Sequence, residues 1–227
     1  LLASWGVAFD AIDVEATPAA RQTLAGLGVP AVPAVVVGQR AVHGWNPKAV
    51  AELVGVEYAG GPALAPPELA RRLDVVLAAA QRAVRQIPPQ HLDMTHPGRD
   101  RSVRQLGFHV FRLSLAFRDA MRQRQLPKAW QDEPAPPEVA DGPAIAAYGE
   151  RVRADLAAHF TRPDAWSGIV ETYYGPQTGH EVLERTVWHA AQHVRQLYAF
   201  LQRMGVTPEA PLGEADYAGL PLPKELW

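Results

Sequence analysis

Val182-Leu183-Glu184-Arg185-Thr186-Val187-Trp188-His189-Ala190-Ala191-Gln192-His193-Val194-Arg195-Gln196-Leu197 is the stretch on which the reading of this chain turns. Val187, Ala190, Ala191, Val194, Leu197 and Leu201 recur at helical spacing, which predicts one amphipathic helix from about 180 to 204. On that helix His189 and His193 stand four residues apart, one turn above the other on a single face. Two imidazoles placed this way can share one metal ion.

Working outward, three more helices of similar length follow from the same periodicity. Leu69, Leu73, Val76, Leu77, Ala80, Val84 and Ile87 define the first, which Pro88-Pro89 ends. The second spans about 102 to 124, and the third carries Ile145, Tyr148, Val152, Leu156 and Phe160 on one face. Four amphipathic helices predict an all-α four-helix bundle. The proline-rich connection from Leu126 to Gly142 is too long for a tight turn, so the second and third helices are free to run in parallel.

The second helix holds His109 within Leu106-Gly107-Phe108-His109-Val110-Phe111, an apolar setting for an imidazole. Taken singly, such a histidine is ordinarily a core residue satisfied by one hydrogen bond, and a spaced pair is often surface decoration. Taken together, three imidazoles in apolar surroundings are costly to bury unpaired. A shared ion removes that cost and keeps the rings neutral. His109, His189 and His193 are therefore the candidate ligands of one divalent metal. Three nitrogens with a vacant fourth position describe a catalytic site, and such ligands suit Zn, Ni, Co or Fe alike.

The first 57 residues read differently. Val7 to Val14 has the period-two character of a strand, and Thr17-Pro18 opens a helix that stops at Gly28. Val32 to Gly38 suits a buried strand, Arg40 to Gly44 its partner, and Asn46-Pro47 starts a helix ending near Gly55. A Gly/Pro-rich joint then divides the chain, giving a domain at 1–57, a linker at 58–67 and the bundle at 68–227, with everything after the joint helical. Leu1-Leu2-Ala3-Ser4-Trp5 reads like the closing turn of a helix already under way, so a preceding segment is expected.

Two resemblances attach to these residues. The run Arg101-Ser102-Val103-Arg104-Gln105-Leu106-Gly107-Phe108-His109, and Glu181 to Leu197 with its HxxxH pair, make the segment from about Glu68 onward resemble the DinB/YfiT-type metal-binding bundles. That resemblance implies an up-down-down-up path and the same three histidine ligands. It also implies thiol S-transferase or isomerase chemistry with a low-molecular-weight thiol such as bacillithiol or mycothiol, a metal-bound thiolate attacking an electrophilic small molecule. The first 56 residues resemble the later part of a glutaredoxin-like, thioredoxin-fold α/β domain that is N-terminally incomplete. Pro33 stands where that family has its cis-proline, beside a thiol site, and His43-Gly44-Trp45-Asn46-Pro47 is similar to its closing turn. The family's first strand and Cys-X-X-Cys helix start have no counterpart here, and the chain has no cysteine. Either a segment before Leu1 carries them, or the domain binds a thiol without redox chemistry.

The implied function is metal-dependent transfer to or from a small thiol, with the first domain binding or recycling that thiol. Metal-assisted hydrolysis with metal-bound water, and a non-enzymatic stress-associated binding protein, stand as alternatives. A net charge of −2 provides no electrostatic footprint for nucleic acid or an anionic membrane. No apolar run reaches the length of a membrane span, so the expected location is cytoplasmic, and a homodimer is an open expectation. Glu184 is expected on the solvated surface, and Arg195 in a salt bridge off the ligand face. His43, His91, His96, His159 and His180 lack ligand spacing.

Overall fold

The computed structural model describes all residues except 1, 3, 4, 15, 31, 45, 58–63, 98, 99, 221, 223–225 and 227. The chain divides into two compact units, one of Leu1–Gly61 with Tyr173–Gly175 and one of Pro62–Thr172 with Pro176–Trp227.

In the first unit, helix α1 (Pro18–Gly26) precedes a hairpin of strands β1 (Ala34–Val37) and β2 (Arg40–His43), and helix α2 (Pro47–Val54) follows. The hairpin is antiparallel, with Ala34 opposite His43 and Val37 opposite Arg40. The Asn46 side chain accepts from the Ala49 amide at 3.1 Å and so caps α2, worth about 1 kcal/mol. Gly55 ends that helix in the left-handed conformation, φ 73°, where a side chain would be strained. Val7 to Val14 forms no strand, which corrects the sequence reading: its described residues lie in irregular backbone, mostly exposed. Alternation alone does not make a strand, because its N–H and C=O groups need a neighbouring edge, and the described sheet of this unit consists of β1 and β2. Thr17 also fails as a side-chain cap, leaving Pro18 as the start signal of α1. The expected helical turn at residues 1–5 and the linker at 58–63 fall largely outside the described residues, as does Trp45.

The second unit contains helices α3 (Pro66–Arg85), α4 (Val103–Gln123), α5 (Gly142–Phe160), α6 (Gly179–Arg203) and the short α7 (Glu214–Tyr217). Helix α3 begins two residues earlier than the expected bundle boundary, inside the reading of a linker. Prolines 66 and 67 tolerate this because the first-turn N–H groups of a helix have no internal partner anyway. Side-chain caps set the other starts: Ser102 accepts from Gln105 N at 3.2 Å, and Asp141 from Ala144 N at 2.8 Å. Thr178 and Glu181 form a reciprocal capping box at the head of α6.

Paired contacts order the helices. Along α4 and α5, Gly107 meets Ile145, the Phe108 and Tyr148 rings stack at 5.2 Å, and Phe117 meets Phe160 at 5.8 Å. Residue numbers rise together, so these helices run in the same sense. A Cβ on Gly149 would lie 2.5 Å from the Phe111 ring, which explains the glycine at this crossing. Against α3 the order of α5 reverses, with Gln81 Nε2 donating to Ala146 O at 2.9 Å and Arg153 Nε to Asp74 Oδ1 at 2.7 Å. Leu69, Leu77, Val84, Phe111, Ile145, Leu183 and Val187 fill the shared interior, all 0% exposed.

This unit is not purely helical, a second correction. Strands β3 (Gln125–Leu126), β4 (Ile169–Thr172) and β5 (Gly175–Thr178) form a small sheet in that order, β3 running parallel to β4. The burial of β4 alternates, but four residues are too few to stand out against helical periodicity. Among the described residues no helix is long and apolar enough to cross a membrane.

Candidate metal centre

His109 sits in the second turn of α4, while His189 and His193 sit in the middle of α6. Those two helices run in opposite senses, since Gly179 at the start of α6 lies against Met121 near the end of α4. The crossing brings the three rings together. His109 lies 5.1 Å from each of the other two, centroid to centroid, and His189 and His193 are 4.3 Å apart. One ring nitrogen of each can be chosen so that all three lie within 4.8 Å of one another.

Burial differs across the cluster: His109 is 5% exposed, whereas the two α6 histidines are partly buried. Loss of water holds His109 well below the ordinary imidazole pKa, and His193 and the Arg101 and Arg185 guanidinium groups push it the same way. His189 is depressed by burial first, then by the other two histidines and the same two arginines. Neutral imidazoles are the form that binds metal.

Nε2 of His193 lies 3.0 Å from Nε2 of His189. Two nitrogens each about 2.0–2.1 Å from a shared tetrahedral ion would be about 3.3 Å apart, so this pair already stands near the required spacing. Nδ1 of His193 faces Gln196 Oε1 at 2.6 Å, which gives that ring the outer partner typical of metal-binding histidines. The chemistry of the donor set therefore fits one divalent transition ion.

Sequence reading passed over several neighbours. Arg185, one turn before His189 on the same stripe, is 7% exposed and donates to Gln131 Oε1 at 3.4 Å. Glu184 is 8% exposed, so its expected place on the solvated surface is corrected: α6 is enclosed on this side as well. Arg195 donates to Gln192 Oε1 at 2.8 Å. The α6 stripe at positions 185, 189 and 193 was the available signal for Arg185. Nothing local announced that the chain's far end would reach Gln196. His159 is buried with Nε2 against Ala165 O at 2.8 Å, and His180 reaches Leu64 O at 2.8 Å, both away from the cluster. In the first unit, the Val32–Pro33 peptide is cis, and Pro33 O accepts from Gly44 N at 2.9 Å.

Two comparisons with known proteins match different parts of the chain. The glutaredoxin family model matches residues 1–42. The solved structure of YfiT from Bacillus subtilis, described as a probable metal-dependent hydrolase with an unusual four-helix bundle topology, matches with a TM-score of 0.51 at 18% identity. That match covers 67% of this chain and 96% of YfiT, and it is a likeness of fold. No curated protein matches by sequence. The chain thus combines a YfiT-like helical bundle, holding a three-histidine cluster able to bind a metal, with a glutaredoxin-matching segment before it.

Proposed function

We propose that this is a metal-dependent transferase of small-molecule thiol chemistry. In this reading a glutaredoxin-type domain at 1–57 and a linker at 58–67 precede an up-down-down-up metal-binding bundle at 68–227. The observation that carries the proposal is the convergence of His109, His189 and His193 from two helices onto one point. A Zn, Ni, Co or Fe ion held there would keep a coordination position for a visitor and lower the pKa of a thiol or water placed in it.

The protein's own residues do the rest. His109 would hold the ion from α4, and His189 and His193 from α6. Arg101 and Arg185 make the surroundings electropositive, which favours an anionic visitor such as a thiolate. The glutaredoxin match supports a thiol as that visitor, with Pro33 at the proposed thiol-binding position of the first domain. The thiol, its proton lost to water, would then form an S–C bond to the electrophilic carbon of the second substrate while the bond from that carbon to its leaving group breaks and the leaving group, such as chloride, departs with the electron pair.

Hydrolysis is the second reading, supported by the description of YfiT as a probable metal-dependent hydrolase. The two separate in one assay series. Protein loaded with one metal equivalent is given chlorodinitrobenzene with and without glutathione, mycothiol or bacillithiol, and activated esters without thiol. Thiol-dependent consumption of the electrophile that disappears in His189→Ala supports transfer. Ester cleavage without thiol, lost in the same variant, overturns transfer in favour of hydrolysis. Failure to retain any divalent ion sinks both.

A further inference from the structure

Gln196 follows His193 by three residues on α6, and its amide reaches back to the ring: Oε1 lies 2.6 Å from His193 Nδ1. Its other end points the opposite way, Nε2 donating to the backbone carbonyl of Leu226 at 2.5 Å. These two ends cannot be exchanged. A carbonyl only accepts, so the amide nitrogen must face Leu226 and the amide oxygen must face His193. An amide oxygen also only accepts, so His193 Nδ1 must carry the ring proton. A neutral imidazole protonated there has its lone pair on Nε2, the nitrogen that faces His189 at 3.0 Å.

The carbonyl that sets this sequence is itself fixed from a second side. Gln192 Nε2 donates to Leu226 O at 2.9 Å, and Gln192 Oε1 accepts from Arg195 Nη1 at 2.8 Å. Arginine has no acceptor, so the Gln192 amide is oriented as firmly as that of Gln196. Along the route from Arg195 through Gln192 and Gln196 to the ring, each of these contacts pairs a donor with an acceptor. With the other tautomer, two lone pairs would face each other at 2.6 Å and an N–H would point into the histidine cluster.

From this network we infer that Gln196, its amide oriented by the Leu226 carbonyl, is a positioning residue. It holds His193 in the Nδ1-protonated tautomer and presents Nε2 to the centre. The link to metal rests on the reading of the three histidines as a metal site, but the tautomer does not. Residues far apart in the chain thereby decide which atom of His193 is the ligand.

The test uses the full chain in three forms: wild type, Gln196→Leu and Gln196→Glu. Long-range proton–nitrogen NMR of the histidine rings, on metal-free protein at pH 8, reports the tautomer. Competition with a chromophoric chelator reports Zn2+ affinity. Wild type is expected to show Nδ1–H at His193, and Gln196→Leu to lose that preference and bind zinc about 10–100-fold more weakly. Gln196→Glu gives up the donor to the Leu226 carbonyl but still offers Nδ1–H an acceptor, so it keeps the tautomer and binds zinc more tightly than Gln196→Leu, a rescue that a merely structural side chain would not show. The inference is overturned if Gln196→Leu retains the Nδ1–H tautomer. If wild type takes up no zinc, the metal reading fails instead, and the ring spectra still decide for or against the role of Gln196.

Discussion

In the helical unit Leu69, Val76, Leu77 and Val84 are all 0% exposed, whereas in the first unit Phe9, Ile12, Val36 and Val37 are 38–59% exposed. Among the described residues of Leu1–Gly61, the buried hydrophobics are Val50, Ala51 and Leu53, all on α2. The difference follows from how each fold gathers apolar surface. An amphipathic helix carries its own stripe, and four stripes close on one another. A hairpin has two faces and no hydrogen-bond partners beyond its edges, and two strands alone are marginal in water. The three-histidine cluster lies where the first kind of packing makes rigid geometry available.

The largest effect should come from the bundle interior. Leu77→Ala removes a side chain that is 0% exposed and is expected to cost about 2–5 kcal/mol, read by urea unfolding. Val36→Ala, at a position 38% exposed, should cost less than about 1 kcal/mol. Equal losses at the two positions would erase the contrast between the units.

Metal should act on one unit only. At a hundredfold excess of zinc over its dissociation constant the bundle is expected to gain about 2.7 kcal/mol, and His189→Ala should abolish that gain. Hydrogen exchange can locate it: protection should rise in α4 and α6 and stay level in β1 and β2. A uniform rise would contradict a site built by α4 and α6 alone.

How far this was legible from residues alone divides along the same line. Val187, Ala190, Ala191, Val194, Leu197 and Leu201 give α6 away, because one face of a long helix repeats often enough to be counted. The HxxxH spacing and the apolar setting of His109 named the three rings that α4 and α6 bring together. Val7–Val14 misled because a strand is defined by its neighbour, which a local pattern does not contain. Strand β4 was missed because its four residues are too few for a period. The route from Leu226 to His193 spans more than thirty positions and runs through a backbone carbonyl, which no side-chain motif encodes.

Acid should weaken the helical unit. Burial lowers the folded-state pKa of His109, His189 and His159, the last lying away from the cluster, below the unfolded value near 6.5. Below about pH 6.5 the unfolded chain therefore binds more protons than the native one, and stability falls as pH falls. Each such ring contributes up to about 1.4 kcal/mol per pH unit in that window. Metal-free protein unfolded in urea between pH 8 and pH 5 should show the loss, and His159→Gln should flatten part of it. A profile that stays level below pH 6.5 would mean the rings are hydrated and not enclosed.

Two matched helix caps separate the surroundings from the interaction. Asn46 caps α2 and Asp141 caps α5 through the same bond to the third helical amide, at 3.1 and 2.8 Å. Each Ala replacement should cost about 0.5–2 kcal/mol. Locally the two losses are alike, but their consequences are not. Helix α5 is pinned by Ile145, Val152 and Leu156 in a shared interior, so Asp141→Ala should leave its middle amides protected. Helix α2 has eight residues, too few to persist without packing, and carries the buried hydrophobic side chains described for Leu1–Gly61. Asn46→Ala should therefore raise exchange throughout α2 and in its β1 and β2 neighbours together. Exchange confined to the first turn of α2 would show that the small unit is held by more than its one buried helix face.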